Sequence, residues 1–191
     1  FNAILAIGIV IVLGHNLLDY YEAGKENLGW FYDMVHRPNL HKLWDGQSLL
    51  ILYPFLPWAG LMMMGYCFGR LFLKYENAQR TKMLLIAGAG LLILFAVLRI
   101  PNLYGDPRDW SEQQNTFNSF LDIMNVQKYP PSLLYMAATI GIGLIILAIV
   151  GNKKNWFTKF ITVYGRVPFL YYVLHFFLIH IISSIFYLAR G

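Results

Sequence analysis

The sequence predicts an all-α, polytopic membrane protein with about five transmembrane spans and one short interfacial helix. Of its 191 residues, 58% are hydrophobic and only 13% are charged, whereas soluble domains carry about a quarter charged residues. Five mostly apolar runs recur between polar connections, each about long enough to cross roughly 30 Å of hydrocarbon. These observations exclude a soluble globular fold, and we expect the lipid bilayer, not nucleic acid, as the partner.

The first two predicted spans cover residues 3–18 and 49–72. The first apolar run begins at Phe1 with no polar leader, so we expect a longer chain whose upstream helices complete the bundle. The second span contains Pro54 and Pro57, and each proline removes a backbone donor. The prolines indicate either a broken helix that lines a wet cavity or a packing kink.

The other three predicted spans cover residues 83–98, 132–150 and 167–189. The third ends before Pro101, because proline disfavours helix at the residue before it. The fourth follows Pro130 and Pro131, which a first helical turn tolerates, and it stops at Gly151. Between the fourth and fifth spans, an apolar face opposite Lys159 predicts the interfacial helix. That face comprises Trp156, Phe157, Phe160, Ile161 and Tyr164.

The charges of the connections predict the orientation of one membrane domain over residues 1–191. The connections over 70–82 and 152–166 each carry four basic residues, against one acid and none respectively. By the positive-inside rule, these two connections face the cytoplasm. The other connections hold nine of the ten acids. We therefore expect an inner (plasma) membrane protein in which this segment starts on the cytoplasmic side and ends outside.

His15 and Asp19 form the sharpest catalytic candidate. On a helix these two residues are i, i+4 neighbours, so the carboxylate would orient the ring of a general base. The alternative is that His15 only caps the helix and bonds a loop carbonyl. His36 and His41 lie five residues apart without cysteine partners, so we expect no metal site.

The fifth span contains two further histidines, His175 and His180. An ionisable group at membrane depth usually faces the bundle interior and serves a site or relay. Five residues turn a helix through about 500°, so the rings point about 140° apart and are not expected to share a ligand. The alternative is a neutral ring bonded by a neighbouring helix.

Gly165 and Arg166 precede the start of the fifth helix. Free N–H groups and the helix dipole favour phosphate at such a start. An arginine that snorkels to lipid headgroups explains the same pattern. In the outer connections, aromatic residues lie among carboxylates, which suits a polyol substrate, although tryptophan and tyrosine also form the interfacial belt of membrane proteins.

Several ordered motifs together resemble the C-terminal half of bacterial membrane proteins related to heparan-alpha-glucosaminide N-acetyltransferase. The resemblance spans nearly the whole chain. It rests on GHNLLD at 14–19, YPFLPW at 53–58, GYCFG at 65–69, KYPPSL at 128–133, GRVPF at 165–169 and YVLH at 172–175.

The resemblance implies an acyltransferase that moves acetyl from cytoplasmic acetyl-CoA to an amino sugar or glycan outside. Under this hypothesis Gly165, Arg166 and the basic connections help to hold the CoA phosphates. A path past His175, His180 and the broken second span conducts the acyl group or lines its tunnel, and His15 with Asp19 polarises or deprotonates the acceptor. The expected substrate contacts are Asn16, Trp58, Tyr129 and Asp106.

Two other classes stay open from the sequence. A transporter or flippase for a sugar- or polyprenyl-linked lipid would use the same proline-broken helix and buried histidines without chemistry. A structural subunit of a larger assembly would use the histidines only to bond helices together. The sequence leaves the acceptor and homo-oligomerisation open.

Overall fold

A computed structural model describes residues 1–151 and 153–190 of the chain. It is 68% helical, and three of its helices are long and apolar enough to cross a membrane. These helices are Asn77–Arg99, Leu133–Val150 and Pro168–Ala189, and they correspond to the third, fourth and fifth predicted spans. The helical character and these three apolar helices confirm the coarse prediction.

The elements follow one another as short and long helices interrupted by one hairpin. Two compact units divide the chain after Ala148. In chain order the elements are α1 (Asn2–Gly14), α2 (Leu17–Glu22), α3 (Trp30–Val35), β1 (Asn39–Trp44), β2 (Gln47–Ile51), α4 (Phe55–Phe68), α5 (Arg70–Lys74), α6 (Asn77–Arg99), α7 (Thr116–Met124), α8 (Leu133–Val150), α9 (Trp156–Arg166) and α10 (Pro168–Arg190).

The first predicted span, residues 3–18, is not one continuous helix. α1 ends at Gly14, and α2 starts at Leu17 after a tight turn through His15 and Asn16. In this turn the N–H of Leu18 donates to the carbonyl of His15 at 2.9 Å, an i to i+3 pattern in place of the α-helical one. α1 therefore has 13 residues, fewer than the roughly 20 that a span needs.

The second predicted span, residues 49–72, is not one continuous helix either. Residues 49–51 belong to β2, and the helix begins only after Pro54. Pro54 is the N-cap of α4 and Pro57 lies in its first turn, where no N–H donor is required. The prolines therefore start a helix and do not break one. Gly69 then separates α4 from α5.

The hairpin β1–β2 departs from the all-α prediction. The strands pair antiparallel from Asn39 opposite Ile51 to Trp44 opposite Gln47. Asp45 and Gly46 form the turn, and Gly46 has a φ of 75° that favours glycine. An Asp-Gly pair is a strong signal for a two-residue hairpin turn, but the hydropathy of the run that follows it favoured a transmembrane helix.

Two close helix crossings hold the first unit together. α1 crosses α4 at Gly8 and Gly60, and α6 crosses α8 at Gly88 and Gly141. A Cβ added at Gly88 would lie 2.8 Å from the carbonyl oxygen of Gly141, so only glycine permits this approach. Small residues at helix contacts are the usual means by which apolar helices pack closely in membranes.

α8 is the helix shared by both apolar clusters of the first unit. One cluster joins α8 to α6 through Leu134 and Phe95. The other joins it to α1 through Met136 and Val12, with Leu61 of α4 packed beside them. The start of α8 therefore lies next to the end of α1, where the candidate site is built.

Arg99 ties the connection between α6 and α8 to the end of α6. Only 1% of its surface is exposed, and its guanidinium donates to the backbone carbonyls of Arg108, Asp122, Ile123 and Asn125 at 2.6–3.1 Å. Three of these carbonyls lie at the end of α7. A cation at a helix C-terminus is favourable because free carbonyls and the helix dipole are negative there.

The second unit contains the predicted interfacial helix and the last long helix. α9 begins with a capping box: the side chain of Asn155 accepts from the N–H of Thr158, and the Thr158 hydroxyl accepts from the N–H of Asn155. Val167 alone separates α9 from α10. The predicted short helix over residues 156–164 is thus confirmed as a helix that extends to Arg166.

Candidate active site

A chain of three side chains, Glu22, His36 and His15, lies where α1 meets α2. Nδ1 of His36 lies 2.6 Å from Oε1 of Glu22, and Nε2 of His36 lies 3.2 Å from Nδ1 of His15. Both histidines are buried, with 3% of His15 and none of His36 exposed. A carboxylate followed by two hydrogen-bonded imidazoles is an arrangement that can relay a proton.

If Glu22 is a carboxylate and both rings are neutral, the hydrogen bonds select one tautomer for each histidine. The carboxylate accepts the proton on Nδ1 of His36, which leaves Nε2 of His36 as an acceptor. Nδ1 of His15 then donates to that acceptor, and Nε2 of His15 keeps an unprotonated lone pair. This Nε2 is buried and has no hydrogen-bond partner within the described part of the chain. The relay therefore ends in a free base.

Burial, with a smaller effect from the neighbouring His36, lowers the pKa of His15 to about 4. The His15 ring is therefore neutral near pH 7 and able to accept a proton. The hydroxyl of Tyr32 is also buried, and it lies beside the Glu22 carboxylate. Burial and the Glu22 carboxylate raise the pKa of Tyr32 to about 12, so it stays protonated.

The loop that carries His36 is organised around a second carboxylate. Asp33 is fully buried and accepts from Nε of Arg37, Nδ2 of Asn39 and Nε2 of His41 at 2.8–2.9 Å. Arg37 also donates to the carbonyls of residues 25 and 26. These contacts hold the end of α3 against the start of β1 and thereby position His36.

Asn16 and Asp106 link the relay to the start of α8. The amide oxygen of Asn16 accepts from the N–H of Leu133 at 2.9 Å, and its amide nitrogen donates to Asp19 at 2.7 Å. Asp106 accepts from the hydroxyl of Ser132 at 2.7 Å and from the N–H of Gln127 at 2.8 Å. Both predicted substrate residues therefore bind other parts of the chain.

The predicted pairing of His15 with Asp19 is wrong. Asp19 accepts from Asn16, whereas the carboxylate that reaches the histidines is Glu22, through His36. The reason is the turn after Gly14, which removes the helical i, i+4 relation between His15 and Asp19. Burial raises the pKa of Asp19, although the bond from Asn16 opposes this shift.

A cation could bind beside the relay. One ligand atom each of Asp19, Glu22 and His36 lies within 4.8 Å of the others, and two carboxylates with one imidazole suit a divalent metal. Sequence spacing did not indicate this group. Metal at Nδ1 of His36 would displace its bond to Glu22, so metal binding and the relay described above exclude each other.

Trp58 and Tyr129 occupy the same unit but are not part of the relay. Trp58 lies in the first turns of α4, and its indole N–H is buried without an acceptor in the described residues. Tyr129 packs edge-to-face on Tyr53 with ring centroids 5.1 Å apart, and their hydroxyls are 3.3 Å apart. Their predicted contact with substrate stays a prediction.

The remaining predicted residues lie in the second unit. His175 bonds the carbonyl of Tyr172 through Nδ1, and Nδ1 of His180 lies 2.8 Å from the carbonyl of Phe176. Each ring thus contacts its own helix. Gly165 and Arg166 form the last turn of α9, not the first turn of α10, so the dipole argument for phosphate does not apply to them.

Sequence reasoning missed Glu22 and His36 as members of the site. His36 is separated from His15 by 21 residues, so no helical or strand periodicity connects them. The local signal in the sequence was a histidine within a connection rich in aromatic residues. In the comparisons with known proteins, no family model, curated protein or solved structure matches the chain.

Proposed function

We propose that the chain is part of an integral-membrane acyltransferase that moves acetyl from acetyl-CoA to an amino sugar or glycan acceptor. The observation that supports this proposal is the buried relay from Glu22 through His36 to the free Nε2 of His15. Acetyl transfer needs a base that removes a proton from the attacking amine or hydroxyl. The family resemblance supplies the donor and the class of acceptor.

The relay suits the proton transfer of this reaction. When the acceptor nitrogen or oxygen bonds to the thioester carbonyl, its proton becomes acidic and passes to Nε2 of His15. The bond from the carbonyl carbon to sulfur then breaks, and the CoA sulfur leaves as a thiolate. His36 and the ionised Glu22 stabilise the positive His15 ring that forms, as the third member of a catalytic triad does.

The burial of His15 supports the proposed proton transfer as much as its imidazole does. A neutral ring is the form that accepts a proton, and the low pKa of His15 keeps the ring in that form. The same burial excludes water, which protects the thioester from hydrolysis. A weak base is sufficient here because the acceptor proton becomes acidic only as the new bond forms.

The five-span arrangement and its orientation belong to this proposal. Besides the three long apolar helices, α1 and the pair α4–α5 would supply two shorter membrane segments, around which the bilayer is locally thinner. The basic connections would face cytoplasmic acetyl-CoA, with Arg166 near its phosphates, and His175 and His180 would line the acyl path. The relay would then lie on the outer side, near the acceptor, in the plasma membrane.

Turnover of His15 and His36 variants tests the proposal. In full-length protein reconstituted with acetyl-CoA and glucosamine, His15→Ala and His36→Gln should each lower transfer about 10²- to 10⁴-fold, the usual worth of a positioned base. The thermal midpoint is measured on the same preparation, so that loss of rate is separated from loss of fold.

His41→Gln is the comparison variant, because His41 contacts Asp33 and neither relay histidine. Since Asp33 helps to position His36, the turnover of this variant should fall, but far less than that of the relay variants. Normal turnover in both relay variants would overturn the proposal for His15 and move the assignment to His175 and His180. Counterflow of substrate without acetylation would instead support a transporter.

A further inference from the structure

α9 of the second unit combines an aromatic face with a basic face. The rings of Trp156 and Phe160 stack with centroids 5.8 Å apart, and Phe160 and Tyr164 lie 5.2 Å apart. These rings follow one another at i, i+4 spacing and are between 47% and 77% exposed. At 100° per residue, Lys159 and Arg166 lie together on one flank of the helix, about 100–120° from the centre of the aromatic face. Thr158 and Thr162 lie opposite that face.

No acidic residue lies near the basic residues of this segment along the sequence. The last acidic residue of the chain is Asp122, and none follows it through residue 191. Four basic side chains nevertheless lie between α8 and α10. They are Lys153, Lys154, Lys159 and Arg166. A cluster of four cations without carboxylates is complementary to an anionic surface.

The position of α9 supplies the second argument. One residue, Val167, separates it from α10, which is long and apolar enough to cross a membrane. Tyr164 also contacts Tyr171 across this junction, with ring centroids 5.8 Å apart. The end of α9 is therefore held where a span begins, and an amphipathic helix held there lies in the interface.

We infer that α9 and the two lysines before it form a binding surface for anionic phospholipid headgroups. The aromatic face enters the boundary of the acyl chains, and Lys153, Lys154 and Lys159 reach the phosphates. A zwitterionic bilayer would satisfy the aromatic face equally well, so the charge is the feature that selects anionic lipid. Each basic residue near such a surface raises the binding constant roughly fivefold.

Lipid selectivity of the full-length protein tests this inference. The protein is reconstituted in phosphatidylcholine vesicles, and electron paramagnetic resonance measures the motionally restricted fraction of spin-labelled phosphatidylglycerol and of spin-labelled phosphatidylcholine. We expect the protein to prefer phosphatidylglycerol over phosphatidylcholine by at least about fivefold, which is the effect of one lysine on the binding constant. The preference should weaken as salt screens the charges.

Two triple variants assign the preference to this surface. Lys153→Gln, Lys154→Gln and Lys159→Gln together should remove most of it, whereas the matched triple change to arginine should retain it. All three side chains are exposed, so circular dichroism should show unchanged helix content in both variants. An unchanged preference in the glutamine variant would overturn the inference.

A further measurement distinguishes a surface that binds lipid headgroups from one that binds coenzyme A. Free coenzyme A carries the same phosphate chemistry, so it is added at millimolar concentration to the wild-type vesicles. Persistence of the phosphatidylglycerol preference supports a lipid surface. Loss of the preference in coenzyme A would overturn the inference and assign these lysines to the acyl donor instead.

Discussion

Glu22 and Asp19 lie one helical turn apart in α2, yet only Glu22 bonds the histidine pair. We expect Glu22→Gln to lower turnover about 10²-fold, because a neutral amide cannot stabilise the charged imidazole that forms during proton transfer. Asp19→Asn should have a much smaller effect. Glu22→Asp, which keeps the charge, should restore part of the rate.

The pH profile distinguishes a positioning role from a structural one. If Glu22 acts through His36, its glutamine variant should show a changed pH dependence of kcat as well as a lower rate. A lower rate that follows only the fraction of folded protein, with the wild-type pH profile, would show that Glu22 merely stabilises the loop.

The ionisation of Asp33 predicts that the stability of the folded protein also depends on pH. Burial raises the pKa of Asp33, but the bonds from Asn39, Arg37 and His41 outweigh burial and hold it below its ordinary value of 3.8. A depressed pKa in the folded state stabilises the protein fully above 3.8, and this contribution is lost as the pH falls through the folded-state pKa.

We therefore expect Asp33→Asn to lower the thermal midpoint near neutral pH, and the difference from wild type to close as the pH falls below 3.8. Thermal scans in detergent from pH 3 to pH 7 measure it. Asp45→Asn, in the exposed hairpin turn, is the control and should leave the midpoint nearly unchanged. A constant difference between Asp33→Asn and wild type across this range would contradict the prediction.

At the scale of elements, the crossing of α6 and α8 depends on Gly88. Gly88→Ala should destabilise the protein by about 1–3 kcal/mol, the usual cost of overpacking, because the new methyl group would meet a backbone carbonyl at 2.8 Å. Gly90 lies on the same helix with nothing within 4 Å of an added Cβ. Gly90→Ala is therefore the matched control.

Gly90→Ala should be neutral or stabilising by up to about 1 kcal/mol, since alanine has the higher helix propensity. Thermal unfolding followed by circular dichroism in one detergent compares the two variants. Equal midpoints for Gly88→Ala and Gly90→Ala would show that the helices do not cross at Gly88 in the folded protein.

For the whole molecule, the alternation of basic and acidic connections predicts the topology. With Cys67 replaced by serine, cysteines at Lys74 and Lys153 should be shielded from an impermeant thiol reagent in intact cells. Cysteines at Glu26 and Glu112 should be labelled. Labelling of both pairs from one side would contradict the five-span arrangement, including the crossing of α1 and of α4–α5.

Local sequence signals are sufficient to place the long helices of this protein. Hydropathy and the prolines at 101, 131 and 168 predicted α6, α8 and α10 to within a few residues at most ends, and the aromatic spacing predicted α9. These signals are local: a run of apolar residues must satisfy its backbone donors internally in lipid, and proline and glycine set where the helix begins or ends.

The side chains of the candidate site could be identified only from the folded arrangement of the chain. Helical spacing favoured Asp19 as the partner of His15, but a tight turn ends that helix and His36 arrives from a loop 21 residues away. That loop is held by Asp33 and by the hairpin β1–β2. Hydrogen-bond partners at this separation depend on how the connections fold back, which no local periodicity encodes.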